Sequence, residues 1–103
     1  MAATLESISK NLNELERRYA ELDHLMADPS VATNPDKLIA LGKERADLEE
    51  IVGAWRELRE IDSQIEDARV MAEDSDRELA ALADEELKTL RARESALTAT
   101  IQR

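Results

Sequence analysis

His24 is the only histidine in the sequence, with Asp23 beside it and Asp28 four residues on. A histidine next to a carboxylate is the start of a general acid–base pair or of a metal site. Either needs further groups, and the chain has no second histidine and no cysteine to supply them. His24 therefore reads as an ordinary surface residue. Adjacent carboxylates occur at Glu49-Glu50 and Asp84-Glu85-Glu86. Acid–base work by such groups requires a cleft that shifts a pKa, whereas runs of this kind usually form a solvated helix face. No phosphate-cradling glycine loop, calcium loop or nucleophile elbow is present. No catalytic residue, cofactor site or metal site is expected, and the chemistry left to the chain is recognition through its surface. Trp55 is the aromatic residue best suited to anchor a partner, but its place in an apolar stripe favours a core role.

Charge is the most uneven property of the sequence. Between Glu73 and Glu86 stand seven acids, Glu73, Asp74, Asp76, Glu78, Asp84, Glu85 and Glu86, against Arg77 alone. Farther on, Lys88, Arg91, Arg93 and Arg103 face only Glu94, and Lys37, Lys43 and Arg45 form a second basic group. Two readings stay open. The acidic stretch is a candidate contact for a basic protein partner, with Lys43, Arg45, Lys88, Arg91 and Arg93 facing RNA or a neighbouring domain. Alternatively, the acids serve solubility and complement the positive end of a helix, as Asp76 and Glu78 would.

The elements that must carry these residues are helices. The sequence is rich in Ala, Leu, Glu and Arg, with two Gly and two Pro, 37% charged residues and 2% aromatics. Its 103 residues fit one domain. Leu5, Ile8, Leu12, Leu15, Tyr19, Leu22 and Met26 alternate three and four apart, which predicts a helix over about 3–27. Asp28-Pro29 ends it, and 28–34 is expected to be a turn with Val31 tucked under the end. Asn34-Pro35-Asp36 restarts a helix as N-cap, first-turn proline and first-turn acid. That second helix is expected over about 35–73, with Leu38, Leu41, Leu48, Val52, Trp55, Leu58, Ile61, Ile65, Ala68 and Ala72 inward. Gly42 and Gly53 lie inside it, marking either close helix approach or a tolerated bend. Ser75 and Glu78 form a predicted capping box, opening a third helix over about 76–102. Its inward residues are Leu79, Leu82 or Ala83, Leu87, Leu90, Leu97 and Ile101, with Glu94 near the seam.

Short connections make the helices antiparallel neighbours. The expected fold is all-α, an elongated antiparallel three-helix bundle with a coiled-coil-like hairpin. Counting from the turns places residue 5 beside about 58, and residue 101 beside about 48. The three helices would then overlap only near residues 48–58, around Trp55.

A net charge of −10 argues against the whole surface lying on nucleic acid. No apolar stretch approaches the ~18 residues needed to cross a bilayer, and Met1 to Glu6 lack a signal-peptide pattern. A cytoplasmic location is expected.

The segment Leu25-Met26-Ala27-Asp28-Pro29-Ser30-Val31, then Asn34-Pro35-Asp36-Lys37-Leu38 and Leu41-Gly42-Lys43-Glu44-Arg45-Ala46-Asp47-Leu48-Glu49, resembles the N-terminal domain of bacterial class-I peptide chain release factors. Ile65-Glu66-Asp67-Ala68 through Met71 and Leu79-Ala80-Ala81-Leu82-Ala83-Asp84-Glu85-Glu86-Leu87 are similar to the type-one factors more than to type two. The resemblance spans essentially the whole chain, and its specificity lies in order and spacing, not in a single motif.

The resemblance implies a domain of a translation-termination protein that acts on the ribosome at UAA and UAG codons. In that family, codon reading uses a Pro-x-Thr tripeptide and peptidyl-tRNA hydrolysis a Gly-Gly-Gln loop; neither occurs here. The chain is therefore expected to be the N-terminal part of a longer multi-domain protein, with no catalytic residue of its own. The implied role is docking at the stalk base of the large subunit, on protein and rRNA, with the recycling GTPase release factor as a further partner. A stand-alone coiled-coil scaffold or chaperone-like adaptor, able to self-associate, is the competing reading.

Overall fold

A computed structural model describes residues 5–102, with side-chain surroundings from Ile8 onward. Residues 3 and 4 of the expected first helix, the Leu5 side chain and Arg103 lie outside the described residues. Among the described residues there are four helices and no strand: α1 (Leu5–Ala27), α2 (Pro29–Ala32), α3 (Pro35–Ala72) and α4 (Arg77–Gln102).

The connection between α1 and α3 is more ordered than a plain turn, because α2 is a single helical turn inside it. Asp28 caps it: its Oδ1 accepts hydrogen bonds from the Ser30 amide at 2.8 Å and the Ser30 hydroxyl at 2.7 Å. Both bonds favour the charged carboxylate and hold its pKa below the ordinary value. Val31 is half-buried. Asn34 then caps α3 as expected, accepting from the Lys37 amide at 3.2 Å, with Pro35 in the first turn where no intrahelical donor is needed.

The cap of α4 differs from the expected capping box. Asp76, not Ser75, accepts from the amides of Glu78 at 2.9 Å and Leu79 at 3.3 Å. Asp74 in turn accepts from the Asp76 amide at 2.8 Å. A carboxylate is the stronger acceptor for the free amides at the positive helix end, so the helix starts one residue later than the hydroxyl cap predicts.

The chain divides into two compact units, one up to Gly53 and one from Ala54. In the first, Leu12, Tyr19 and Leu22 of α1 and Val52 of α3 are buried, and Leu22 is fully closed off at 0% exposure. Ile8, Leu15, Met26, Leu38, Leu41 and Leu48 are half-buried around them. Arg18 bonds Glu44 through Nε at 2.6 Å and Nη2 at 2.8 Å. Arg45 bonds Asp23 at 2.6 Å and lies 4.6 Å from the centre of the Tyr19 ring. These cross-helix pairs set the level at which α1 meets α3.

In the second unit Ala54, Ile61, Ile65 and Ala68 of α3 pack with Leu90 and Leu97 of α4, and Leu58, Leu87 and Ile101 close the edges. Here α3 departs from the expected stripe. A heptad continued from Val52 places Trp55 inward, but Ala54 is buried and Trp55 only half-buried, with the Arg59 guanidinium 5.3 Å from its ring. The choice between Leu82 and Ala83 goes to Ala83, 2% exposed, while Leu82 is 67% exposed and Leu79 39%. Neighbouring positions on a helix point about 100° apart, so with Ala83 inward Leu82 turns towards solvent.

Gly42 and Gly53 both have ordinary helical backbones without positive φ. A Cβ at Gly42 would meet only the Met26 methyl at 3.6 Å, and one at Gly53 would meet nothing within 4 Å. Neither position is a site of obligatory close approach.

Candidate docking surface

The acidic residues of the second unit lie where α3 ends and α4 begins. Glu73, Asp74, Asp76, Glu78, Asp84, Glu85 and Glu86 are all exposed. Two of them have structural work: Asp74 and Asp76 hold the turn and the α4 start through the amide bonds given above. Glu85 has a loose partner in Lys88, 3.4 Å away one turn on.

Large apolar side chains are exposed among these acids. Val70 is 69% and Met71 44% exposed near the end of α3, and Leu79 and Leu82 are exposed near the start of α4. Glu78, Ala81, Leu82 and Glu85 line a shallow groove along the outside of α4. Sequence reasoning found the acids and missed this apolar component, because Leu79 and Leu82 were both available for the seam. The signal for it was Val70-Met71, two apolar residues side by side with neither in the stripe that includes Ala68 and Ala72.

The candidate basic residues are placed differently. Arg45 spends its guanidinium on Asp23 and Tyr19. Arg93 makes a two-pronged bond to Glu57, Nε at 2.6 Å and Nη2 at 2.7 Å. Each guanidinium is held above its ordinary pKa first by its hydrogen-bonded carboxylate, and Arg93 holds Glu57 below its own. Lys88 pairs with Glu85, whereas Lys43 and Arg91 are exposed. Sequence analysis did not anticipate the ion pairs, whose members lie 22 and 36 residues apart.

Glu94 sits half-buried in the α3–α4 seam. Its pKa is raised by a hydrogen bond with Asp62, then by burial and by the Asp62 charge, with Arg91 acting the other way. His24 is exposed in the last turn of α1, where a cation would suit the helix dipole. Among the described residues no three His, Asp or Glu side chains gather as a metal site, and no helix is long and apolar enough to cross a membrane. What the surface offers is an acidic, partly apolar patch suited to binding.

Comparison with known proteins gives the family. The sequence profile of the PCRF domain matches residues 15–103. The chain is similar to peptide chain release factor 1 of Acidobacterium capsulatum, 39% identical over 84 residues, covering 82% of this chain and 24% of that protein. It is 41% identical over 86 residues to peptide chain release factor 1 of an Anaeromyxobacter species, covering 84% of this chain and 23% of the relative. The Clostridium botulinum peptide chain release factor 1 is 42% identical over 82 residues, covering 79% and 23%. The chain thus spans about a quarter of the length of these relatives. No solved structure matches it. The matched span takes in most of α1, the capped connection and all of α3 and α4, and by it the chain belongs to the PCRF domain family.

Proposed function

We propose that this chain is the N-terminal docking domain of a type-one peptide chain release factor, serving translation termination at UAA and UAG codons in the bacterial cytoplasm. The observation that carries the reading is the family match over residues 15–103, with relatives all named as release factors. The domain holds the factor against the stalk base of the large ribosomal subunit, while codon reading and peptidyl-tRNA hydrolysis belong to other parts of the polypeptide. It is not itself catalytic, and the recycling GTPase release factor is a further partner. The exposed acids from Glu73 to Glu86 supply the contact to a basic protein, and Lys43 and Arg91 are the exposed cations available to rRNA or a neighbouring domain. Arg45, Lys88 and Arg93 would have to exchange their intrachain carboxylates to join them.

The test is a full-length factor carrying Glu73→Lys, Glu85→Lys and Glu86→Lys, which leaves the capping residues Asp74 and Asp76 intact. Peptide release on programmed ribosomes should slow, most strongly at low salt, because exposed charges act over a Debye length of about 10 Å at ~0.1 M. Unchanged release kinetics at low salt would reject the acidic contact.

A further inference from the structure

Met71, Leu79 and Leu82, exposed near the α3–α4 connection, form one flank. In an α-helix successive residues turn by about 100°, and Glu57 and Arg93 face each other across the antiparallel pair. That register puts Met71, Leu79 and Leu82 on the same side of the hairpin as the Glu57–Arg93 pair, near its tip, with Glu78, Glu85 and Glu86 around them. Beyond Leu82 every large apolar residue of α4, from Leu87 to Ile101, is buried or half-buried. Leu79 and Leu82 are thus left uncovered by the chain's own packing, and they adjoin Met71 in a patch and not singly.

We infer that this flank receives a short basic amphipathic helix from a protein of the large ribosomal subunit, whose apolar side chains cover Met71, Leu79 and Leu82 while its Lys and Arg face Glu78, Glu85 and Glu86. The inference rests on the docking reading above and names the chemistry of its partner. Charge selects the occupant. Seven acids against Arg77 between Glu73 and Glu86 repel the phosphates of RNA and of anionic lipid. They equally repel a second copy of this chain, at net charge −10. A cationic protein segment is attracted, and its apolar stripe is what the leucines require. The shallow groove along Glu78, Ala81, Leu82 and Glu85 adjoins this flank at Leu82 and has the i, i+3, i+4, i+7 spacing of a helix face, the kind of face on which side chains of another helix seat. From Glu78 to Glu85 it runs about 10 Å, so two to three turns of partner helix fill it.

The experiment is cosedimentation of the 103-residue chain with purified large ribosomal subunits, comparing wild type with Leu82→Ser, with Leu79→Ser/Leu82→Ser, and with Ile39→Ser. Ile39 is as exposed as Leu82, at 70%, but belongs to the first unit. Circular dichroism should show all variants helical, since the altered side chains are largely in solvent. Leu82→Ser should weaken retention roughly tenfold or more, the loss expected from one buried leucine at an interface, and Ile39→Ser should leave it unchanged. A photoreactive benzophenone side chain placed at position 82 should crosslink to a ribosomal protein. Equal retention of wild type and both leucine variants overturns the inference and leaves the docking reading standing. An equal loss in Ile39→Ser, a crosslink to rRNA, or a dimer of the chain that Leu82→Ser abolishes overturns it as well. Failure of the wild-type chain to cosediment at low salt removes the docking reading, and the inference with it.

Discussion

Arg93 of α4 grips Glu57 of α3 with two parallel hydrogen bonds of 2.6 and 2.7 Å, fixing the level at which the two helices meet. Arg93 holds the Glu57 carboxyl below its ordinary pKa, against a smaller opposing effect of burial. A depressed carboxylate adds stability above its unfolded pKa and loses it as pH falls through the folded value. Glu57→Gln should therefore lower the melting temperature at neutral pH, with the deficit shrinking on acidification below the usual carboxylate range. Both partners are solvent-accessible, so added salt should shrink it too. Thermal melts across pH and salt check this; a deficit constant in both would assign the effect to packing and not to charge.

Glu94 should behave in the opposite sense. Its folded pKa is raised by the hydrogen bond with Asp62 and by burial. The stabilising contribution is present below the unfolded pKa and lost as pH rises through the folded one. At neutral pH a charged Glu94 stands against Asp62, so Glu94→Gln, which keeps a donor for Asp62, should raise the melting temperature there. The advantage should fade at low pH, where wild-type Glu94 is protonated. A variant that melts below wild type at pH 7 would refute the proton-sharing geometry.

The start of α4 separates two neighbouring caps. Asp76→Ala removes the acceptor of the Glu78 and Leu79 amides and should cost about 1 kcal/mol in urea denaturation. Ser75→Ala removes no such acceptor and should stay within about 0.5 kcal/mol of wild type. Equal costs would favour the hydroxyl cap that the sequence suggests.

Gly53 is a stabilisation target. It has no positive φ and open space where a Cβ would go. Gly53→Ala should add about 0.5–1 kcal/mol, because alanine loses less backbone freedom in a helix. Chemical denaturation measures it, and a loss of stability would point to a contact at that surface.

The sequence by itself determined what depends on neighbours along the chain. The helix spans were legible from the three–four spacing of Leu12, Tyr19 and Leu22 and from Asn34-Pro35, since capping and periodicity act within one or two turns. The concentration of acid between Glu73 and Glu86 was likewise present in the order of residues, as was the family resemblance. Tertiary structure decided which face of each helix is covered. Heptad spacing is satisfied about equally by Trp55 or Ala54 inward, and by Leu82 or Ala83. The packed helix buries Ala83 at 2% exposure and leaves its neighbour Leu82 at 67%. The pairings of Arg18 with Glu44, Arg45 with Asp23 and Arg93 with Glu57 were decided the same way. Their members are far apart in sequence, and only the packing of one helix on another brings the charges within hydrogen-bonding distance.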